Sequence, residues 1–218
     1  SKEQRRNQWL RWIEEKQGPA EKRLLRNSTS FIRALKKHVL DNFDRLEIKG
    51  ASWVSKFITA ESLISESDFR ALVEKHYLKS FKSIYEGNFK DEYLGIRSKM
   101  DRSFRIEKAI IPFNTGWKGF LTKMTVELRD STLKQLDKFF SKFRVDTAAA
   151  EIRVELGQNR SLRPSRAGGI ARTEATILVN SSAVAAATEA GKEEPELNPL
   201  KEWFTEGDDL VRPEHVEL

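Results

Sequence analysis

Apolar residues recur at intervals of three and four positions through much of this chain, and that spacing constrains its fold more than any other feature. Similar stripes run through residues 61–86 and 117–143. The clearest stripe comprises Leu24, Phe31, Ile32, Leu35, Val39, Phe43 and Leu46. A half-buried strand would instead place apolar residues at every second position. The pattern therefore predicts a mainly α-helical protein.

Composition sets the expected shape and setting of these helices. Of the 218 residues, 39% are hydrophobic and 33% are charged, so a packed core would lie beneath an unusually polar surface. We expect an elongated multi-helix assembly with a compact helical domain at its C-terminal end. The chain has no cysteine, which excludes disulfides and fits a reducing cytoplasm. No run is apolar enough to cross a bilayer and no signal peptide is evident, so no membrane partner is expected.

Charge is distributed unevenly along the chain. Residues 1–38 carry 11 Lys or Arg against 4 Asp or Glu, whereas residues 189–218 carry 3 against 10. A basic segment can neutralise phosphates or bind an acidic protein surface, and an acidic segment avoids both. If the protein contacts DNA, we expect its first half to do so.

Residues 1–60 are predicted to form a basic, amphipathic helical arm with a joint at Gly18–Pro19. Its tryptophans and cations can stack on bases and neutralise phosphates, or they can anchor the arm in a groove of a protein partner. A plain solvated helix is the third interpretation. The side chains concerned are Arg5, Arg6, Trp9, Arg11, Trp12, Lys22, Arg26, Arg33 and Lys37.

Residues 61–145 are predicted to form a helical middle region that is interrupted at 87–117. The interruption contains Gly87, Gly95, Pro112 and Gly116 together with several cations, and it loses the helical period. These features favour an irregular basic loop or a small β hairpin at 87–117.

Helical signals return in the third predicted region, residues 146–218. A short helix is expected over TAAAEIRVEL, and a longer one from about Pro164 to Gly191. The pair Gly168–Gly169 within the longer helix indicates either a close helix approach or a delayed helix start. The helical period puts Glu174 in the apolar stripe of this helix and Arg172 on another side. The other members of that stripe are Ile170, Ile177, Ser181 and Val184.

An Ala-Arg-Thr-Glu signature at 171–174 is followed by a Trp at 203, an acidic pair at 208–209 and an Arg-x-x-His at 212–215. In the order and spacing of these motifs the last part of the chain resembles the conserved domain of the phage Mu F-like minor head proteins. The resemblance covers roughly residues 117–218. Family members usually continue past the closing histidine, so we expect the domain to be incomplete here. The matching residues are the Ala-Arg-Thr-Glu signature, Ala171, Arg172, Thr173 and Glu174, followed by Trp203, Asp208, Asp209, Arg212 and His215.

This resemblance implies a structural virion protein rather than an enzyme. Its partners would be the portal protein or the major capsid protein, with nonspecific contact to packaged double-stranded DNA. It would be assembled in the bacterial host cytoplasm, lie inside the capsid or at the portal vertex, and assist head assembly and DNA packaging or ejection. No cofactor and no small-molecule substrate are implied. The alternative from another class is a helical DNA-binding protein that acts outside a capsid.

A toxin fragment is a further, enzymatic alternative. Some proteins of this family are fused to ADP-ribosyltransferase toxins, whose sites combine an Arg, a Ser-Thr-Ser and a Glu-x-Glu on separate strands. Residues 26–30 read Arg-Asn-Ser-Thr-Ser. They lie on a helical pattern, however, and no predicted downstream strand presents a Glu-x-Glu.

A carboxylate among Ile and Val side chains is costly unless it is paired and hydrogen-bonded. We therefore expect Glu174 to bind Arg212, His215 or the indole N–H of Trp203, which would fix the closing segment to the helix. Catalysis by Glu174 and His215 as an acid and base pair is the alternative. The predicted structural clasp comprises Arg172, Glu174, Trp203, Asp208, Arg212 and His215.

Overall fold

Four long helices and two short ones make up the described part of the computed structural model, which comprises residues 4, 7, 10–48, 59–98, 110–144 and 147–193. These ranges contain no strand, and the mainly α prediction is confirmed. The helices are α1 (Gly18–Ile48), α2 (Ala60–Leu63), α3 (Glu66–Ser98), α4 (Ile110–Phe140), α5 (Ala149–Leu156) and α6 (Arg166–Glu193). The long helices have 28 to 33 residues, which corresponds to lengths of about 42–50 Å and gives the expected elongated shape.

The long helices form a bundle in which each helix runs opposite to the one before it. In the contacts between α1 and α3, residue numbers increase along one helix as they decrease along the other. Arg23 contacts Ser83, and Asn27 contacts Ser80. The ring contacts between α3 and α4 follow the same rule. α3 and α6 run parallel and pack extensively, while α1 and α4 pack against this pair without extensive contact with each other.

One continuous hydrophobic core joins helices from all three predicted regions. The residues of α1 that the sequence assigns to a buried stripe are buried, except that Leu46 is only half-buried. Helix α6, expected in a separate compact domain, packs on both α1 and α3. The predicted boundaries at 60/61 and 145/146 therefore divide helices that share a core. No helix within the described ranges has the length and apolar character needed to span a membrane.

Buried polar side chains fix the alignment of the central helices. Asn88 of α3 donates from Nδ2 to the carbonyl oxygen of Val179, at 2.9 Å, and to Oγ of Ser182, at 2.7 Å, both on α6. The hydroxyl of Tyr77 donates to Oγ of Ser28 on α1 at 2.9 Å. A buried donor left unpaired costs about 1–3 kcal/mol. Sliding one helix past another would break these hydrogen bonds as well as the apolar contacts.

Gly18–Pro19 is not a joint, contrary to the sequence prediction. The helical backbone continues from residue 10 through a π-helical turn, Ile13–Gln17, into α1. The N–H of Gly18 donates to the carbonyl oxygen of Ile13, five residues back. Proline has no N–H and its ring collides with the carbonyl oxygen four residues earlier. A widened turn immediately before Pro19 accommodates both restrictions without ending the helix.

The loop or hairpin predicted at 87–117 is wrong for residues 87–98 and 110–117, which belong to α3 and α4. Residues 99–109 lie outside the described ranges. Aromatic residues at a spacing of four continue the apolar stripe of α3, since Phe81, Tyr85, Phe89 and Tyr93 are all buried. The glycines that suggested a loop, Gly87 and Gly95, lie on the exposed side of the helix. Aromatic packing therefore outweighs the low helix propensity of glycine here.

Candidate functional site between α4 and α6

A groove of about 820 Å³ opens between α4 and the first half of α6. These two helices contact each other much less than either contacts α3, which leaves the groove accessible. Its walls combine two apolar side chains with two acids, two cations, two hydroxyls and one amide. The lining residues are Glu127, Leu128, Gln135, Arg160, Ser165, Arg166, Gly169, Ile170, Thr173 and Glu174.

Glu174 forms the acidic end of this groove. It is only 5% exposed, as the helical phase of the sequence predicts, and it lies beside the buried Ala171 and Ala175. The pKa of the Glu174 carboxyl is raised to about 7, mainly by burial and in smaller part by the nearby Glu127, while Lys123 acts in the opposite direction. Among the described residues, no side chain or backbone N–H donates a hydrogen bond to this carboxyl group. The described residues thus leave this buried acid without a direct hydrogen-bond partner.

Arg166 forms the opposite, basic end. Its guanidinium donates to Oγ1 of Thr132 at 2.9 Å, to Oγ of Ser131 at 3.1 Å and to the carbonyl oxygen of Ser161 at 3.2 Å. All three acceptors are neutral, and the described residues provide no carboxylate within ion-pair distance of Arg166. Arg160 adds a second, exposed cation at the same end. The groove is therefore polarised along its length.

The remaining residues of the predicted clasp are only partly placed by the structure. Arg172 is exposed and lies on the α1 side of α6, with its Nε 3.5 Å from Oε1 of Glu21. It does not contribute to the groove. The other members, Trp203, Asp208, Arg212 and His215, lie outside the described residues. The clasp and the catalytic alternative both remain predictions.

The basic side chains assigned to the amino-terminal arm occupy the outer face of α1. On α1 they are exposed at Lys22, Arg26, Arg33 and Lys37, and Arg11 is exposed on the helical segment that precedes α1. Lys37 also pairs with Asp41 at 2.7 Å.

Trp12 is not a free anchor. Its indole N–H donates to Oε1 of Glu92 on α3 at 2.9 Å, and the ring is half-buried. Ile13, the next residue, is likewise half-buried. Trp12 therefore helps to attach the start of the helix to the bundle. Arg5, Arg6 and Trp9 lie outside the described ranges.

The Arg-Asn-Ser-Thr-Ser segment, residues 26–30, lies entirely within α1. Ser28 is buried and accepts the hydrogen bond from Tyr77, while Arg26 is exposed. Within this segment Ser28 thus faces the core, whereas Arg26 and Ser30 face solvent. The structural role of Ser28 accounts for a polar residue at this core position.

Two features of the site escape sequence analysis. The basic end, Arg166, is the first residue of α6, where the helical period of the sequence does not mark it as partly buried. The stripe that includes Glu174 is also displaced from the predicted one, because Val184 is 42% exposed while Ala171, Ala175 and Ala186 are buried. Small residues allow α6 to approach its neighbours closely, and hydrophobicity alone does not identify that face.

The polarised groove suits a ligand or chain segment with an anion at one end and a cation at the other. No family model, curated protein or solved structure matches this chain.

Proposed function

We propose that this chain is a minor head protein of a tailed bacteriophage. It binds the portal protein or the inner surface of the capsid and assists head assembly and DNA packaging or ejection. The observation that carries the proposal is the position of the Ala-Arg-Thr-Glu signature in α6. Ala171 and Glu174 are buried between helices, whereas Arg172 and Thr173 are exposed. Residues so divided between core and surface support a structural role for the signature.

The outer face of α1 supplies the surface for an anionic partner. Lys22, Arg26 and Arg33 are exposed over 11 residue steps, or about 17 Å of helix. The opposite face of α1 is buried in the core, so these cations are held on a rigid support. Phosphates of packaged DNA or an acidic patch of a portal subunit would complement them. The role of the protein is then positional, and it would act within the virion.

Two measurements test this proposal. Mass spectrometry of the purified source particle should detect this polypeptide together with a portal protein. Co-purification of the full chain with the portal should weaken when Lys22, Arg26 and Arg33 are all replaced by Gln. The control replaces Lys118, Lys134 and Lys138 of α4, which are also exposed, and removes the same charge from another face. Absence of the chain from the particle would overturn the proposal.

The same exposed face also favours the second candidate, a DNA-binding protein that acts outside a capsid. That function requires the isolated protein to bind duplex DNA with an affinity that falls steeply as salt rises. The slope of log K against log salt is about −0.9 for each phosphate neutralised. Replacing Lys22, Arg26 and Arg33 should then make the slope less steep by the contribution of up to about three phosphates. Replacing Lys118, Lys134 and Lys138 should leave the slope unchanged. Weak, salt-insensitive binding would exclude this candidate.

A further inference from the structure

Both ends of the α4–α6 groove hold charges that the described residues do not pair with an opposite charge. Arg166 is half-buried and donates only to neutral oxygens. Glu174 is buried with the acid Glu127 and the cation Lys123 nearby. Lys123 forms its ion pair with Glu127, at 3.8 Å, and no described cation lies within ion-pair distance of Glu174. The two positions are eight residues apart on α6, so their backbones are separated by about 12 Å along the helix axis. An occupant with an anion and a cation at that spacing would satisfy both ends.

The closing part of the same chain carries these two charges in sequence. Asp208 and Asp209 are followed by Arg212, three to four residues later. An extended segment advances about 3.3 Å per residue, so the two charges would be about 10–13 Å apart. Leu210 stands between them, and in an extended segment it shares a face with Asp208 and Arg212, so it matches the apolar floor formed by Leu128 and Ile170. The complementarity therefore covers both charge and hydrophobicity.

The chain is also long enough to reach the groove. From Glu193, the end of α6, back to Arg166 is 27 residues of helix, or about 40 Å. Asp208 follows Glu193 by 15 residues, which span up to about 50 Å when extended. Asp208 can thus reach Arg166, and the segment would then run along α6 in the direction of Glu174.

We propose that residues 208–212 bind in the α4–α6 groove of their own chain, with Asp208 and Asp209 at Arg166 and Arg212 at Glu174. The bound segment places an opposite charge at each end of the groove and covers Ile170. This inference concerns the chain alone and does not depend on the proposed function. Because burial raises the pKa of Glu174 to about 7, the guanidinium of Arg212 would also relieve the cost of ionising that acid at neutral pH.

Disulfide trapping tests the proposal directly, because the natural chain has no cysteine to interfere. One variant carries Gly169→Cys in the groove and Leu210→Cys in the closing segment. The matched control carries Gly168→Cys with the same Leu210→Cys. Gly168 is adjacent and also has open space for a side chain, but it does not line the groove. The full-length chain is used throughout.

The expected result is an intramolecular disulfide that forms about tenfold faster in the Gly169 variant than in the Gly168 control, since docking raises the local concentration of one thiol at the other. Adding Arg212→Gln to the Gly169 variant should slow the reaction several-fold, and Arg212→Lys should restore part of the rate. Equal rates at the two glycines would overturn the proposal. Disulfides formed mainly between molecules would also overturn it, by assigning the groove to a second copy.

Discussion

At the level of single residues, Gly116 and Tyr85 show how closely α3 and α4 approach each other. Tyr85 is buried, and its ring lies against the backbone of α4 at Gly116. A methyl group built on Gly116 would overlap the phenol ring and hydroxyl of Tyr85. Gly119, one turn later on the same helix, has no neighbour within 4 Å of the same position. An alanine methyl group therefore has space at Gly119 but not at Gly116.

Gly116→Ala should destabilise the fold by about 1–3 kcal/mol, because the buried tyrosine has little space into which to move. Gly119→Ala should instead stabilise it by about 0.5–1 kcal/mol, since alanine is the better helix former. Urea unfolding followed by circular dichroism measures both free energies. Equal effects of the two substitutions would contradict the close approach at Gly116.

The ionisation of Glu174 should make stability depend on pH once its proposed partner is removed. In an Arg212→Gln background the folded-state pKa of about 7 exceeds the reference value of 4.5. The folded protein then holds its proton more tightly than the unfolded chain does. The resulting stabilisation is complete below about pH 4.5 and is lost as the pH rises to about 7. The difference between these two pKa values corresponds to a loss of at most about 3 kcal/mol.

Comparison of Arg212→Gln with the double variant Arg212→Gln/Glu174→Gln isolates this contribution from other titrating groups. The double variant should lose less stability between pH 4.5 and 7 in chemical denaturation. Parallel pH profiles for the two proteins would show that Glu174 titrates as it does in the unfolded chain.

At the level of elements, α6 carries two consecutive glycines within its first turn. Side chains added at Gly168 and Gly169 would meet no atom within 4 Å. Of the two explanations that the sequence leaves open, a close helix approach is therefore wrong. The helix starts at Arg166, two residues before the pair.

Gly168→Ala should stabilise the protein by about 0.5–1 kcal/mol, because alanine loses less backbone entropy on entering a helix. Thermal unfolding of the full chain provides the measurement. A fall in melting temperature would mean that Gly168 has a neighbour outside the described residues.

The long helices could be predicted from the sequence wherever no glycine or proline interrupts the apolar period, as in residues 24–46. Prediction failed at 87–98, where Gly87 and Gly95 on the exposed side concealed a stripe of aromatic residues. The burial of Glu174 followed from its helical phase alone. Its neighbours Lys123 and Glu127 could not be predicted, because they approach it only through the packing of α4 on α6. Local periodicity thus determines which face is buried, but not which helix covers it.

At the level of the whole molecule, the bundle is tighter on the α1 side than on the α4 side. Core residues of α1 such as Leu24, Phe31 and Val39 have no exposed surface. Trp117, Leu121, Leu128, Leu133 and Phe139 of α4 retain 7–9% exposure. α4 also makes limited contact with α6.

Backbone amides in the middle of α4 should therefore exchange with solvent deuterium faster than those in the middle of α1 and α3. The free energy of local opening increases with the number of buried contacts that must be broken. Hydrogen exchange read out by mass spectrometry would show the order. Equal protection across the four long helices would indicate that the bundle opens only as a unit.

α1 and α4 each pack against the α3–α6 pair and make no extensive contact with each other. The cations of α1 and the α4–α6 groove belong to separate surfaces of the bundle. A macromolecule bound along α1 would leave the groove uncovered, and occupation of the groove would leave the cations of α1 exposed. Ternary complexes are therefore sterically compatible with this fold, and the bundle can act as a spacer whose length is set by its helices.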